Sequence, residues 1–161
     1  MHNNDIVRRL QYIFNISTKD MLTISKLGDL NLTKAEFLAI IAKPAQDSAR
    51  DAQLSRRDLE KFMNGLIISQ RGHKKNEDGS VAPLDYSMQR DNDINNVVIK
   101  KLKIAMSYTV EDLLSFWQAA DFKVTKGELG AMLRRKSHPK YLVAGDQFMR
   151  KLLIGMAETL R

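Results

Sequence analysis

Asn3-Asn4-Asp5-Ile6-Val7-Arg8-Arg9-Leu10 and Asn95-Asn96-Val97-Val98-Ile99-Lys100-Lys101-Leu102 are one segment written twice, and this doubling decides the fold. The match continues without a gap from Asn3 to Ile41 against Asn95 to Leu133, at a constant offset of 92. Ten positions are identical: Asn3/Asn95, Asn4/Asn96, Leu10/Leu102, Asp20/Asp112, Leu22/Leu114, Asp29/Asp121, Thr33/Thr125, Lys34/Lys126, Glu36/Glu128 and Ala39/Ala131. After loops of different length it resumes at offset 90, with Lys61/Lys151, Gly65/Gly155 and Arg71/Arg161. Self-similarity at a fixed spacing marks a repeat architecture. It also sorts residues. A position filled the same way in both copies serves the shared fold before anything else, so a specific function is expected where the copies differ.

Each copy reads as four helices. Ile6, Leu10, Ile13 and Phe14 fall on one helical stripe, as do Val98, Leu102, Ala105 and Met106. Asn3 or Asn4, and Asn95 or Asn96, are expected to cap these first helices, because an Asn oxygen accepts from free first-turn N–H groups. Ser17 to Asp20 and Thr109 to Asp112 have capping-box spacing, and Thr33-Lys34-Ala35-Glu36 and Thr125-Lys126-Gly127-Glu128 are full boxes. Gly28 is expected to stop the second helix of the first copy. The fourth helices carry Leu59, Phe62, Met63 and Leu66, and Met149, Leu152, Leu153 and Met156. Gly65 and Gly155 sit inside them, where Gly costs about 1 kcal/mol against Ala. Recurrence of that cost predicts a close helix–helix approach.

No strand is expected. The fold reads as all-α: two tandem four-helix repeats, residues 1–71 and 95–161, packed with approximate twofold pseudo-symmetry and joined by an exposed, mobile linker over 72–94. Loops over 43–54, marked by Pro44, and 136–145, marked by Pro139, precede each last helix. A repeat of about 65 residues is marginal by itself, which favours mutual packing.

The chain has 161 residues and no Cys, which removes disulfides, thiolate metal sites and thiol nucleophiles. Its N-terminus lacks the basic-then-apolar order of a signal peptide, and no apolar run is long enough to span a membrane. A cytoplasmic protein is expected. The net charge of +7 is unevenly spread: +3 over residues 3–71, −2 over 72–94 and +6 over 95–161.

The residues that look most chemical are Asp20, Glu36, Asp112 and Glu128. Four carboxylates on facing helices suggest a di-metal site, but no Glu-x-x-His accompanies them, and all four lie in first turns where capping and the helix dipole account for them. The histidines, His2, His73 and His138, have no ligand spacing between them. There is no nucleophile elbow, no phosphate-binding loop and no dinucleotide fingerprint. No catalytic residue, metal site or cofactor is therefore assigned.

The remaining candidates are cations of the second copy: Lys100, Lys101, Lys103, Lys126, Arg134, Arg135, Lys136 and Lys140. Asp112 to Arg135 loosely resembles a helix-turn-helix, which would place Lys126, Arg134 and Arg135 on phosphates or bases. Trp117 is a candidate interface residue, because its counterpart is Ser25 and a residue present in one copy is the better functional candidate.

The opening Asn-Asn-Asp-Ile-Val-Arg, Phe62-Met63-Asn64-Gly65-Leu66-Ile67, Asn95 to Ala105 and Gly145-Asp146-Gln147-Phe148-Met149-Arg150 resemble the YehS-like family of bacterial proteins. The resemblance covers essentially the whole chain and departs most over 43–54 and 72–94. It implies a small cytosolic bacterial protein with a tandem repeat, of unknown function, and it carries over no catalytic residue. Two readings stand: a non-catalytic binding or adaptor protein with a protein partner, and a nucleic-acid-binding protein using the basic second repeat. No membrane association is expected, and a homodimer is left open.

Overall fold

The computed structural model describes residues 1–43 and 53–161; Pro44 and most of the 43–54 loop lie outside the described residues. The described chain is all-α and forms two compact units, Met1–Asp85 and Tyr86–Arg161. The first contains α1 (Asn3–Ile13), α2 (Thr18–Leu27), α3 (Lys34–Ile41) and α4 (Arg56–Arg71). The second opens with a 3-10 turn, Asp91–Asp93, and continues with α5 (Ile94–Met106), α6 (Val110–Ala119), α7 (Lys126–Leu133) and α8 (Asp146–Leu160).

Helix starts follow the sequence closely. Thr33 Oγ1 accepts from the Glu36 N–H at 3.1 Å, and Glu36 Oε1 accepts from the Thr33 N–H at 2.9 Å. Thr125 and Glu128 repeat this at 3.0 and 2.9 Å, and Thr109 and Asp112 at 3.1 and 2.8 Å. Ser17 accepts from the Asp20 N–H, but no carboxylate bond closes that box. The Thr33 N–H, followed by its hydroxyl, holds the Glu36 carboxyl below the usual range. These acids therefore terminate helices, as their position in first turns predicts.

Helix ends differ from expectation in an informative way. Gly28 stays right-handed (φ −94°), and the left-handed residue is Asp29 (φ 66°). The Leu30 N–H returns to the Ser25 carbonyl and the Asp29 N–H to that of Lys26, a Schellman closure. Asp121 (φ 53°) does the same in the second unit, with Phe122 bonding to Trp117 and Asp121 to Gln118. Asn15 and Ser107 close α1 and α5 likewise, at φ 52° and 56°. Asn and Asp tolerate this conformation because their short polar side chains bond locally, so the identical pair Asp29/Asp121 is explained.

Gly28 is needed for a different reason. A Cβ there would overlap the Lys61 carbonyl, and one on Gly65 would overlap the Ile24 carbonyl. The backbones of α2 and α4 touch where they cross, and only hydrogen side chains fit. In the second unit a Cβ on Gly155 would overlap the Phe116 carbonyl of α6. The close approach expected from recurring mid-helix glycines is present in both units. Around each crossing lies the core: Met21, Leu59, Phe62, Met63 and Leu66 in one, and Leu113, Trp117, Met149, Leu152 and Met156 in the other.

The 72–94 segment is largely exposed but not featureless. Lys75 and Val81 form an isolated antiparallel bridge around a turn at Gly79, and the buried Asn64 side chain donates to the Asp85 carbonyl at 2.9 Å.

Candidate functional site

The recurring Asn pairs are not caps. His2 and Asp93 hold the N-cap positions of α1 and α5, and neither side chain caps. Asn4 is buried; its Nδ2 donates to the Ile40 carbonyl at 2.9 Å and its Oδ1 accepts from the Leu54 N–H at 2.9 Å. Asn96 is also buried; it donates to the Met132 carbonyl at 3.0 Å and the Leu142 carbonyl at 2.8 Å, and accepts from the Ala144 N–H at 2.8 Å. Asn3 and Asn95 add donor bonds to the Leu54 and Ala144 carbonyls, both at 3.0 Å. Asn95 also donates to Asp146, which holds that carboxyl below its usual range. Each pair grips both ends of the loop before the last helix of its unit. Ile40/Met132 keep the offset of 92 and Leu54/Ala144 the offset of 90, so the two clasps bracket the point where the copies change length.

Between these anchors the second unit displays a basic loop. The α7 helix ends at Leu133, and Arg134 is extended (ψ 164°). From Arg134 to Gly145 there are four Lys or Arg and no acid; the equivalent stretch from Ala42 to Ser55 balances two against two. Arg134, Arg135, Lys136, His138 and Lys140 are all exposed. His138 Nδ1 accepts from the Lys140 N–H at 3.0 Å, with the Arg134 guanidinium at 3.4 Å. An amide N–H can only donate, so Nδ1 carries no proton and the Nε2–H is the donor of this ring.

Lys136 is different from its neighbours. Its Nζ lies 2.8 Å and 3.0 Å from the two carboxylate oxygens of Asp93, whose side chain is only 4% exposed. Burial would raise the Asp93 carboxyl, but the Lys136 bond and the N–H groups of Arg90 and Gln89 outweigh it and hold the group below its ordinary value. Asp93 thus ties the loop to the turn that starts α5. Neither end exists in the first copy, where the aligned residues are Met1 and Pro44.

The eight cations expected from the sequence therefore divide. Lys101 is buried, at 4% exposure, and is not a surface cation. Lys136 is a brace. Lys126 is exposed and lies 3.6 Å from Glu111, a solvated pair of little energetic weight. Lys100 is exposed and Lys103 half-buried on α5. Arg134, Arg135 and Lys140 share the loop. The helix-turn-helix likeness is not what presents them: α7 has eight residues, its first turn is a capping box, and both arginines follow its end.

Trp117, the interface candidate, has no exposed surface. Its Nε1–H donates to the Phe148 carbonyl at 2.9 Å, and its ring meets that of Phe148 edge-on at 6.4 Å. Phe148 also meets Phe122 edge-on at 5.3 Å. Phe148 aligns with Asp58 and Trp117 with Ser25, so the aromatic cluster is a copy-specific core. The Ser25 hydroxyl instead bonds back to the Met21 carbonyl at 2.8 Å.

Among the described residues no group of three His, Asp or Glu could hold a metal ion, and no helix is long and apolar enough to cross a membrane. Sequence reasoning missed Asp93, because it lies outside the repeated region and its partner is 43 residues away.

A family model described as "Protein of unknown function (DUF1456)" matches residues 3–72 and 95–161, the two copies. The chain is 34% identical over 157 residues to "Uncharacterized protein YehS" of Escherichia coli strain K12, covering 98% of this chain and 95% of that one. No solved structure matches.

Proposed function

The chain belongs to the DUF1456 family, and from that premise we propose a non-catalytic binding protein of the bacterial cytoplasm that engages its partner, protein or nucleic acid, through the loop between α7 and α8. The observation that carries this reading is the contrast between the two kinds of polar residue. Those shared by the copies, such as Asn4/Asn96, Thr33/Thr125 and Glu36/Glu128, are occupied in clasps and caps. Those particular to the second copy, Arg134, Arg135, His138 and Lys140, are exposed on a loop held at both ends. A charged, pre-ordered loop suits recognition, since less order has to be imposed on binding.

Capture from a bacterial lysate on the immobilised chain tests this. A reproducible partner is expected for the natural sequence, and its loss for the surface variant Arg134→Glu/Arg135→Glu with an unchanged melting temperature. Repeated blanks, or full retention by the variant, would contradict the reading.

A further inference from the structure

We propose that the Arg134–Lys140 loop is a phosphate-contacting element that grips the backbone of a nucleic-acid duplex, with Arg134, Arg135, His138 and Lys140 as contact residues and Asp93–Lys136 as the brace that shapes it. The proposal rests on the reading that this loop is where the chain binds, and it names the partner.

Four arguments carry it. The exposed charged and imidazole groups of the loop are all donors, two guanidinium groups, an ammonium and the imidazole Nε2–H, with no carboxylate between Arg134 and Gly145. Guanidinium forks match phosphate oxygens in pairs, and adjacent arginines fit a polyanion better than a single charge. Second, the brace is specific to the same copy as the charge. A nearly buried carboxylate has a desolvation cost, and here its Lys partner sits in the middle of an exposed loop. The pair orders the loop at the point where its like-charged side chains are presented.

Third, the loop lacks the anchors of a protein interface. Binding energy between proteins concentrates in buried aromatic residues set in pockets. Trp117 is in the core, and Tyr141 is half-buried, with burial and the neighbouring Asp93 raising its hydroxyl. Leu142 and Val143, at 36% and 45% exposure, are the exposed large apolar residues of this loop. Fourth, the same lack of an exposed Phe, Tyr or Trp on the loop argues for a duplex over a single strand, because single-strand binders stack bases on such side chains. Lys100 adds to the site: it lies one turn beyond Asn96 on the stripe of α5 that holds the loop.

The test is fluorescence anisotropy of the full chain with a labelled duplex DNA and a labelled single strand of the same length, across a salt series. Phosphate contacts by the three loop cations, Arg134, Arg135 and Lys140, predict that affinity for the duplex falls with salt at a logarithmic slope of about −3. Arg134→Gln/Arg135→Gln should weaken binding at least tenfold and flatten the slope by about two. The decisive variant is Asp93→Asn, which raises net charge from +7 to +8. Simple attraction predicts tighter binding; loss of the brace predicts binding several-fold weaker. If Asp93→Asn loses its helical circular dichroism, the arginine pair, which lies on the surface, still tests the loop contacts, with Lys34→Gln/Lys43→Gln as the charge-matched control that simple attraction weakens equally.

No duplex binding by the natural sequence at low salt would overturn the proposal, as would unchanged binding by the arginine variant or tighter binding by folded Asp93→Asn. Capture of one partner from a nuclease-treated lysate, lost with Arg134→Glu/Arg135→Glu, alongside no duplex binding would overturn this proposal while leaving the binding role intact.

Discussion

Asn96 holds Ala144 in place: its Oδ1 accepts from the Ala144 N–H at 2.8 Å while its Nδ2 donates to the Met132 and Leu142 carbonyls. Asn4 does the same to Leu54 and Ile40. A single buried amide thereby fixes where α7 ends and where α8 begins. Asn96→Ala would leave several buried backbone groups without partners, at about 1–3 kcal/mol for a typical such loss, so a total of about 3 kcal/mol is expected. Asn96→Asp keeps the shape but turns two donors into acceptors facing carbonyls, and should be at least as damaging. Urea unfolding of both variants checks this; a loss below about 1 kcal/mol would contradict the clasp.

Three glycines should respond with opposite signs. Ala normally gains up to about 1 kcal/mol over Gly within a helix. Gly155→Ala drives a methyl into the Phe116 carbonyl of the crossing helix and should cost about 3 kcal/mol, because backbone on both sides must move. Gly65→Ala should behave alike against Ile24. Gly130, on α7, has nothing within 4 Å of its added Cβ, and Gly130→Ala should stabilise by about 0.5–1 kcal/mol. Thermal melts of the three variants separate close approach from propensity.

Ser107 closes α5 in the left-handed region at φ 56°. Left-handed backbone costs a non-Gly residue roughly 1–2 kcal/mol; Gly avoids that strain, but its greater freedom when unfolded cancels part of the gain. Ser107→Gly should therefore raise stability by a few tenths to about 1 kcal/mol. A lower melting temperature would mean that the Ser107 side chain makes a contribution outweighing the strain.

The Asp93 carboxyl sits below its ordinary value of 3.8 in the folded chain. The unfolded chain therefore takes up this proton first as pH falls. The brace contributes fully above about pH 4 and is lost as pH drops through the lower folded value. Asp93→Asn should cost about 1–2 kcal/mol near neutrality, and the gap from the natural sequence should close progressively below pH 4. Melts across that range check it; a gap independent of pH would point to lost shape instead of lost charge.

At the alkaline end, burial raises the Tyr108 hydroxyl to about 12, with Asp112 adding to the effect. Its stabilising contribution is complete below pH 10, where the unfolded phenol stays protonated, and is lost as pH rises through the folded value near 12. Tyr108→Phe should flatten the alkaline limb of the stability curve, and unchanged alkaline stability would contradict this.

Helix count, the capping boxes and the mid-helix glycines are legible in the sequence because each depends on residues a few positions apart, or on a match between copies. The acids Glu36, Asp112 and Glu128 can be assigned to helix starts for that reason. The Asn pairs mislead for the opposite reason. Asn3-Asn4 stands where a cap belongs, yet its partners lie 36 to 51 residues away, and nothing local distinguishes a clasp from a cap. Gly28 is similarly ambiguous, since Gly before Asp marks a stop by either residue; the crossing with Lys61 decides it. Asp93–Lys136 joins two surface-looking residues across the chain, a pairing visible only once α5 and the loop are folded together.

The central claim is that binding resides in the loop particular to the second copy and not in overall charge. Lys34→Glu/Lys43→Glu in the first unit and Arg134→Glu/Arg135→Glu in the second change net charge by the same amount, at exposed positions in each case. Duplex affinity of the two variants at one fixed salt concentration measures the claim directly. Near-natural affinity is expected for the first and loss of measurable binding for the second; equal losses in both would place binding in overall charge instead.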